Sequence, residues 1–594
     1  MESVVIVSGK APNSKMKPKF FIFFSLIALI EGVLVQVALW RMTFDPGRGH
    51  ILNYTTLRLA LSGVVFLILI ALTVFMIALF RKPSRGSHLS ASLDKQLIGT
   101  KKRLFFIQGV FLILALFLGE CFLMTYLAFP VPMRPVFLWA ALTCLQAWIV
   151  LRIAYAGLYR QRPSLITRLR TKWAEALPVQ RKVFIVIAIL GLLYFAVFIP
   201  VNLLRDQYGN FFVHADEKVL YPDVTQGMFF KGTVSGMVHS VMEKWPWQYG
   251  YTYFTSSAAV LLIPRLIFGD QFTAQVQLNI FLLRQFVSVA PMVLALMLAV
   301  YLVTRFRNML TSVGMFIFLA AVPGIVKYNV RFWHADALVV LLVVLTIYAL
   351  QKDKLRFGRY FYWAAVFCAL AAATKLWGLF FGPIIAGYLL AGLFKKRLTV
   401  GKMFLSGTLF VLAMLATVFI SSPTLMAPYI ARVALHTWLP MQGSLLTGYG
   451  YDPTGEYNFG LTNWLKYFGF HFMKGYFFYF SIFALIAGSL WGARVRLNRI
   501  LLGWCAVTTF FLTYFVALKN FQYMLPLAIP LYCGAFLFPA VTAGNPDTKW
   551  GAFLARPGTR KVVWGITILM FASQFVINLV ILGLYAIRGE IVML

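Results

Sequence analysis

The chain has 594 residues, of which 61% are hydrophobic, 17% aromatic and only 12% charged. A soluble domain carries about a quarter charged residues, so a soluble protein is excluded, and apolar runs of about 20 residues mark bilayer crossings. The 54 Lys and Arg against 18 Asp and Glu give a net charge of +36, which in a soluble chain points to nucleic acid; the positions of those charges remove that reading.

Apolar runs between charged punctuation predict spans near 20–40, 56–80, 104–129, 135–156 and 183–204. Further spans follow at 278–304, 309–326, 336–351, 360–373, 377–394, 403–422, 475–493, 500–518, 521–540 and 562–586, fifteen in all. The expected fold class is an all-α polytopic membrane protein of about 15 transmembrane helices. With a cytoplasmic N-terminus, 35 of the 54 basic residues fall in inner segments, and every inner loop is basic. Eleven of the 18 acids fall outside. Loop bias in Lys and Arg sets orientation, so the positive charge reads as topology, with the 157–182 stretch also able to touch anionic headgroups. The C-terminus is then expected outside.

Tyr251 to Phe268 is apolar enough to be taken for a sixteenth span, but counting it would turn the basic clusters at 352–359 and 395–402 outward. It is therefore expected to be an interfacial or re-entrant helix, preceded by the headgroup-type aromatics Trp245, Trp247 and Tyr249. The run 360–373 is short for a crossing. Its basic flanks require an even number of crossings between 359 and 395, hence a tight pair turning near Lys375.

The first apolar run is too long for a cleavable signal peptide, contains Glu31 and lacks a small-residue cleavage site. The five cysteines, Cys121, Cys144, Cys368, Cys505 and Cys533, all fall in predicted spans and form neither a disulfide framework nor a zinc pattern. The expected organisation is a four-span extension (1–157), a basic linker (158–182), a membrane core (183–540) and a C-terminal loop and span (541–594).

Two outer segments are long, 205–277 and 423–474, and long outer loops are where function is sought. The first carries His214-Ala215-Asp216-Glu217. Adjacent carboxylates near a low-dielectric boundary repel, which raises the proton affinity of one and suits it to act as a base or to hold a divalent cation; the plain alternative is acids at a helix start. Arg331-Phe332-Trp333-His334-Ala335-Asp336 stands at the outer start of an apolar helix, so His-Ala-Asp occurs twice. Asp336 reads either as a helix-terminal carboxylate or as part of a site shared with Asp216. Cations at membrane depth form a third group: Arg284, Lys375, Arg432 with His436, and Lys519. A charge there needs a counter-ion or cavity, and phosphate is a natural partner for Arg and Lys, with snorkelling to the headgroups as the alternative.

These residues, in order and sidedness, resemble the GT-C superfamily of integral-membrane glycosyltransferases that use lipid-phosphate-linked sugars. His214-Ala215-Asp216-Glu217 looks like the His-Pro-Asp-Glu of the dolichyl-phosphate-mannose-dependent enzymes, with Ala for Pro. An Arg-x-x-x-Ser follows at Arg284 to Ser288, an acid heading an apolar helix at Asp336, and a Thr374-Lys375 element like that of the protein O-mannosyltransferase and aminoarabinose-transferase branch. Lys519 to Tyr523 with Pro526 and Pro530 is similar to that family's last spans. The resemblance covers about 180–540 and leaves out residues 1–157. The Trp-Trp-Asp element of oligosaccharyltransferases is missing.

The resemblance implies a GT-C-like core with amphipathic helices in the first outer loop and a transferase moving a sugar from a polyprenyl-phosphate donor to a lipid, glycan or protein acceptor outside the membrane. Asp216 would be the base, supported by Glu217, with Asp336 a second site acid and Arg284, Lys375, Arg432, Lys519 and His334 as donor-binding candidates. No cofactor is required; a divalent cation on Asp216, His214 and Asp336 is allowed. The rival readings are a transporter or lipid flippase, favoured by Glu31 and Glu120 within spans, and a non-catalytic assembly subunit. Asn53-Tyr54-Thr55 is an outer glycosylation sequon, but the charge bias and the lack of soluble domains point to a bacterial plasma membrane rather than the endoplasmic reticulum.

Overall fold

The computed structural model describes residues 44–45, 50–51 and 107–122, short stretches between 137 and 152, most of 170–204, Phe212, and residues 215–226, 250–422, 461–516, 521–544 and 549–588. The chain divides into two compact units, Met1–Ala174 and Glu175–Leu594. In the first, the described residues form a two-residue antiparallel ladder, Phe44 opposite Ile51 and Asp45 opposite His50, and the apolar helix α1 (Ile107–Phe122). Glu120, near the end of α1, has a buried carboxylate oxygen with no partner among the described residues; Glu31 lies outside them.

The second unit is helical throughout its described residues. It comprises α2 (Pro178–Leu203), α3 (Ala215–Thr225), α4 (Tyr251–Phe268), α5 (Val276–Leu283), α6 (Ala290–Thr304), α7 (Met309–Ala320) and α8 (Pro323–Asn329). It continues with α9 (Asp336–Asp353), α10 (Arg359–Lys375), α11 (Gly382–Phe394), α12 (Val400–Ser421) and α13 (Leu461–His471). The last elements are α14 (Gly475–Leu490), α15 (Val495–Tyr514), α16 (Leu525–Phe536), α17 (Lys549–Leu554) and α18 (Pro557–Ile587). Among the described residues seven helices are long and apolar enough to cross a membrane, and up to nine if the bent pairs α7–α8 (63°) and α13–α14 (96°) each count as one. By its described residues the protein is thus a predominantly helical, polytopic integral membrane protein.

The burial pattern follows from the apolar composition. Helix α12 has a mean hydropathy of 2.3, yet only 6% of its span is fully buried: one side packs on α10, with Phe410 against Phe361 at 4.9 Å, and apolar residues such as Phe404, Leu405 and Val411 stay exposed; a helix apolar all round belongs in a membrane or a large core. At the centre, Phe318 of α7 meets Phe477, Tyr532, Phe536 and Phe571 at ring-centroid distances of 4.9–6.2 Å, many of them edge-on, as aromatic quadrupoles prefer. Trp504 of α15 stacks on Phe381 at 4.4 Å and satisfies its indole N–H on the Pro526 carbonyl.

Two local features position the site. Helices α5 and α6 are one continuous 29-residue run, Val276–Thr304, interrupted by a π-helical turn at Arg284–Val289; π-turns are rare and concentrate at functional sites. Helix α10 stops at Lys375, and the chain folds straight back, so that the Cys368 thiol donates to the Gly378 carbonyl at 2.9 Å. A side chain at Gly378 would overlap the Cys368 carbonyl, so the reversal at Lys375 requires glycine there. Tyr251–Phe268, expected as interfacial or re-entrant, also passes the length and composition test for a span, with a mean hydropathy of 1.2, the lowest of the seven.

Candidate functional site

Asp216 and Glu217 open α3, where two acids complement the helix dipole. Adjacent residues on a helix point about 100° apart, and the two carboxylates take different partners. Glu217 is fully buried and is gripped by Arg284 of the π-turn through Nε to Oε1 at 2.8 Å and Nη2 to Oε2 at 2.5 Å. The Trp333 backbone N–H donates to the same Oε1 at 2.8 Å. Both members are within 1% of full burial, a setting in which a carboxylate–guanidinium pair is bidentate and in which losing either member is expensive.

Asp216, with 30% of its side chain exposed, faces His334, whose Nε2 stands 3.5 Å from Oδ2. The other ring nitrogen of His334, Nδ1, is in contact with Oδ2 of Asp336. Asp336, fully buried at the start of α9, also accepts from Lys375 Nζ at 2.8 and 3.1 Å. The Lys375 ammonium lies 4.6 Å from the ring centre of Tyr523, within cation–π range. The groups therefore form a series, Asp216–His334–Asp336–Lys375–Tyr523, fully buried at His334 and Asp336 and partly exposed at both ends.

The backbone between α8 and α9 carries both series and is held from several sides. Arg331 has a left-handed φ of 52°, uncommon for a residue with a Cβ. It is stabilised by its N–H on Asn202 Oδ1 at 2.6 Å and its Nε on the Val201 carbonyl at 3.2 Å. The Tyr328 hydroxyl donates to the His334 carbonyl at 2.8 Å and accepts from the Ala337 N–H at 3.0 Å, stapling the loop. The His334 N–H donates to Ser288 Oγ in the π-turn at 3.2 Å. Trp333 stacks on Tyr253 of α4 at 5.4 Å and donates its indole N–H to Ser257. The start of α4 is in turn pinned to the end of α10, with the Gly250 N–H on the Thr374 carbonyl at 2.8 Å.

Six of the residues expected at a site, Asp216, Glu217, Arg284, His334, Asp336 and Lys375, thus meet in one cluster drawn from α3, the π-turn, the loop before α9 and the end of α10. His214, Arg432 and Lys519 lie outside the described residues. Arg284, expected as a phosphate ligand, faces Glu217. The expectation of a cation shared by Asp216, His214 and Asp336 meets a donor set already occupied: Asp336 is contacted by Lys375 and His334, and His334 stands between the two aspartates. Among the described residues no group of three or more His, Cys, Asp and Glu is arranged to hold a metal ion. The sequence alone assigns no role to Asn202, Tyr253, Ser257 and Tyr328, whose polar atoms in apolar helices are the sign it gives of them, nor to Trp333 within the Arg331–Asp336 stretch.

The arrangement provides one carboxylate open toward solvent, backed by a histidine whose far nitrogen rests on a second carboxylate. That is the layout of a base whose proton has a neighbouring acceptor. No family model, no curated protein and no solved structure matches the chain.

Proposed function

We propose that the protein is a GT-C-type glycosyltransferase that moves a sugar from a polyprenyl-phosphate donor to an acceptor hydroxyl at the outer face of the membrane, with Asp216 as the base. The observation that carries the reading is the asymmetry among three carboxylates in one cluster. Glu217 and Asp336 are buried and matched with Arg284 and Lys375, while Asp216 is partly exposed beside His334. A base must reach its substrate, and Asp216 is the acid that does.

In the proposed step the acceptor oxygen attacks the anomeric carbon, a new C–O bond forms, and the bond from that carbon to the carrier phosphate breaks. The electron pair leaves on the phosphate, the acceptor proton passes to Asp216, and the anomeric centre inverts in one displacement. His334, held by Asp336, steadies the Asp216 carboxylate, and Glu217 with Arg284 fixes the start of α3. Lys375 neutralises Asp336 and adds positive potential on the side from which a phosphate would be drawn. Arg432 and Lys519 remain the candidates to meet that phosphate directly. With two carboxylates already neutralised by Lys and Arg, the mechanism needs no divalent cation.

The full arrangement of fifteen crossings, a cytoplasmic N-terminus, an outer C-terminus and a bacterial plasma membrane belongs to the same proposal. Tyr251–Phe268 stays an outer-side helix in it. Ser257 near its start and Arg284 beyond its end both belong to the cluster, and from Ser257 to Phe268 the helix advances only about 16 Å at 1.5 Å per residue, about half of a hydrocarbon core of about 30 Å.

The test is a mass-spectrometric assay of the purified protein in lipid with a panel of polyprenyl-phosphate sugars and acceptors, wild type beside Asp216→Asn. Carrier phosphate release with a sugar-sized mass gain on an acceptor, lost in the variant, establishes the reading. The buried acid–histidine–acid–lysine series also suits a proton relay in a transporter. Turnover absent across the panel, with lipid or solute movement unaffected by Asn at 216, decides for that second reading.

A further inference from the structure

The helices that converge on the acid cluster carry arginines at their opposite ends. Helix α2 runs from Arg181 to Asn202, whose carbonyl accepts from Arg284; the distance along it is about 31 Å at 1.5 Å per residue. The α5–α6 run goes from Arg284 to Thr304, followed by Arg305. At that far corner the Gln180 amide donates to the Arg305 carbonyl at 3.0 Å, joining the start of α2 to the end of α6. Arg494, just before α15, turns its Nη1 onto the carbonyls of Leu302, at 2.8 Å, and Val303. Three separate segments thus meet at this corner, with Arg305 and Arg307 close enough to act on Arg494 and Arg181 next to Gln180, which binds the Arg305 carbonyl.

Cations at the inner ends of membrane helices ordinarily reach for water, but two observations set this corner apart. The Nε atoms of Arg181 and Arg305 are buried and have no acceptor among the described residues. Buried donors are nearly always satisfied, and an orphaned one calls for an unseen water or ion. Nor does any carboxylate compensate: none of these arginines forms an ion pair among the described residues, and Glu175, the acid of these segments, is exposed. Burial, together with the like charges of Arg305 and Arg307, lowers the pKa of Arg494 to about 10. The backbone at Arg305 and Phe306 adopts φ of 53° and 54°, which fixes the turn carrying these side chains.

We propose that this corner is a binding site for a phosphate group, supplied by an anionic phospholipid headgroup or by free phosphate. Guanidinium nitrogens left over at this corner, among them the Nε atoms of Arg181 and Arg305, match phosphate oxygens, and a site about one bilayer thickness from the acid cluster lies at headgroup level. The site is independent of the glycosyltransferase reading, since it shares no residue with the acid cluster.

The experiment is native mass spectrometry of the full chain released from nanodiscs of mixed phosphatidylglycerol and phosphatidylcholine. Retention of phosphatidylglycerol over phosphatidylcholine is compared in wild type, Arg181→Gln/Arg305→Gln, and the control Lys395→Gln/Lys396→Gln, which removes two exposed cations elsewhere. The expected result is selective retention in wild type and control, weakened about tenfold or more in the arginine pair. Arg305→Lys, which keeps the charge and loses the fork, is expected to weaken retention as well. A second arm adds inorganic phosphate to detergent-solubilised protein. Arginine-dependent thermal stabilisation by phosphate, without selective lipid retention, assigns the site to the free anion. Equal losses in the two double variants, or neither lipid nor phosphate binding depending on Arg181 and Arg305, overturns the proposal.

Discussion

Arg284 holds Glu217 with two nitrogens on two oxygens, 2.8 and 2.5 Å apart, and the pair is sealed from solvent. Because both charges are desolvated, each depends on the other. Arg284→Met alone strands a buried carboxylate, and Glu217→Gln alone leaves a buried guanidinium without its counter-charge; each is expected to cost about 3–5 kcal/mol. The combined Arg284→Met/Glu217→Gln variant, which keeps an acceptor for the Trp333 N–H, is expected to recover more than half of the Arg284→Met loss. Thermal unfolding of the four proteins in detergent checks this, and strict additivity would refute the coupling.

Asp216 stands in contrast. Its side chain is partly exposed, and His334 Nε2 stands 3.5 Å from its Oδ2. Asp216→Asn is therefore expected to change stability by less than about 1 kcal/mol while lowering transfer about 10²–10⁴-fold, the usual contribution of a general base. Turnover assays beside unfolding curves separate the two effects. A variant that loses fold and activity together would reassign Asp216 to structure.

Gly250 offers a test of the clasp between α4 and α10. A Cβ there would overlap the Ala373 carbonyl, one residue from the Thr374 carbonyl that Gly250 binds. Gly250→Ala is expected to push α4 off the end of α10, loosening Trp333 and Lys375 together, with a loss of about 1–3 kcal/mol. Gly387, inside α11, has open space where a Cβ would stand, so Gly387→Ala is expected to be neutral or to stabilise by up to about 1 kcal/mol. Unfolding curves of the two variants should move in opposite directions or differ by at least that margin.

Sidedness is accessible to thiol labelling. Val219, on the exposed face of α3, and Lys396, in the turn after α11, are both exposed. In a background lacking the five native cysteines, Val219→Cys is expected to react with a membrane-impermeant maleimide on intact cells, and Lys396→Cys only after the membrane is opened. Labelling of both from the same side would contradict an odd number of crossings between them.

Much of the helical layout is legible in the chain because hydropathy and charge act locally. The end of α10 at Lys375 and the turn back after it lie where the basic flanks predict a reversal. The limits of α2, α9 and α18 fall within a few residues of the apolar runs. The cluster was legible only as a set of residue types. Nothing local says that Arg284 would meet Glu217, which lies 67 positions earlier, and a buried Arg reads the same whether its partner is a carboxylate or a phosphate. Asp336 illustrates the overlap most clearly: it heads a helix, where an acid is favoured for the dipole alone, and it also bridges His334 and Lys375. The contributions of Trp333, Tyr253 and Ser257 arise from the way α4 folds over the loop before α9, which sequence spacing does not encode.

The π-turn at Arg284–Val289 has an arithmetic consequence for the chain. A wide turn takes up one residue more than an α-helical turn would. Shortening it by one residue is therefore the one deletion in the Val276–Thr304 run that leaves both flanking stretches facing as they do now. A deletion anywhere else in that run would swing one stretch by about 100° and expose part of the buried row from Met292 to Val303. The surplus residue is stored where Arg284 reaches Glu217 and Ser288 reaches His334, so the bundle can be indifferent to its loss while the cluster is not.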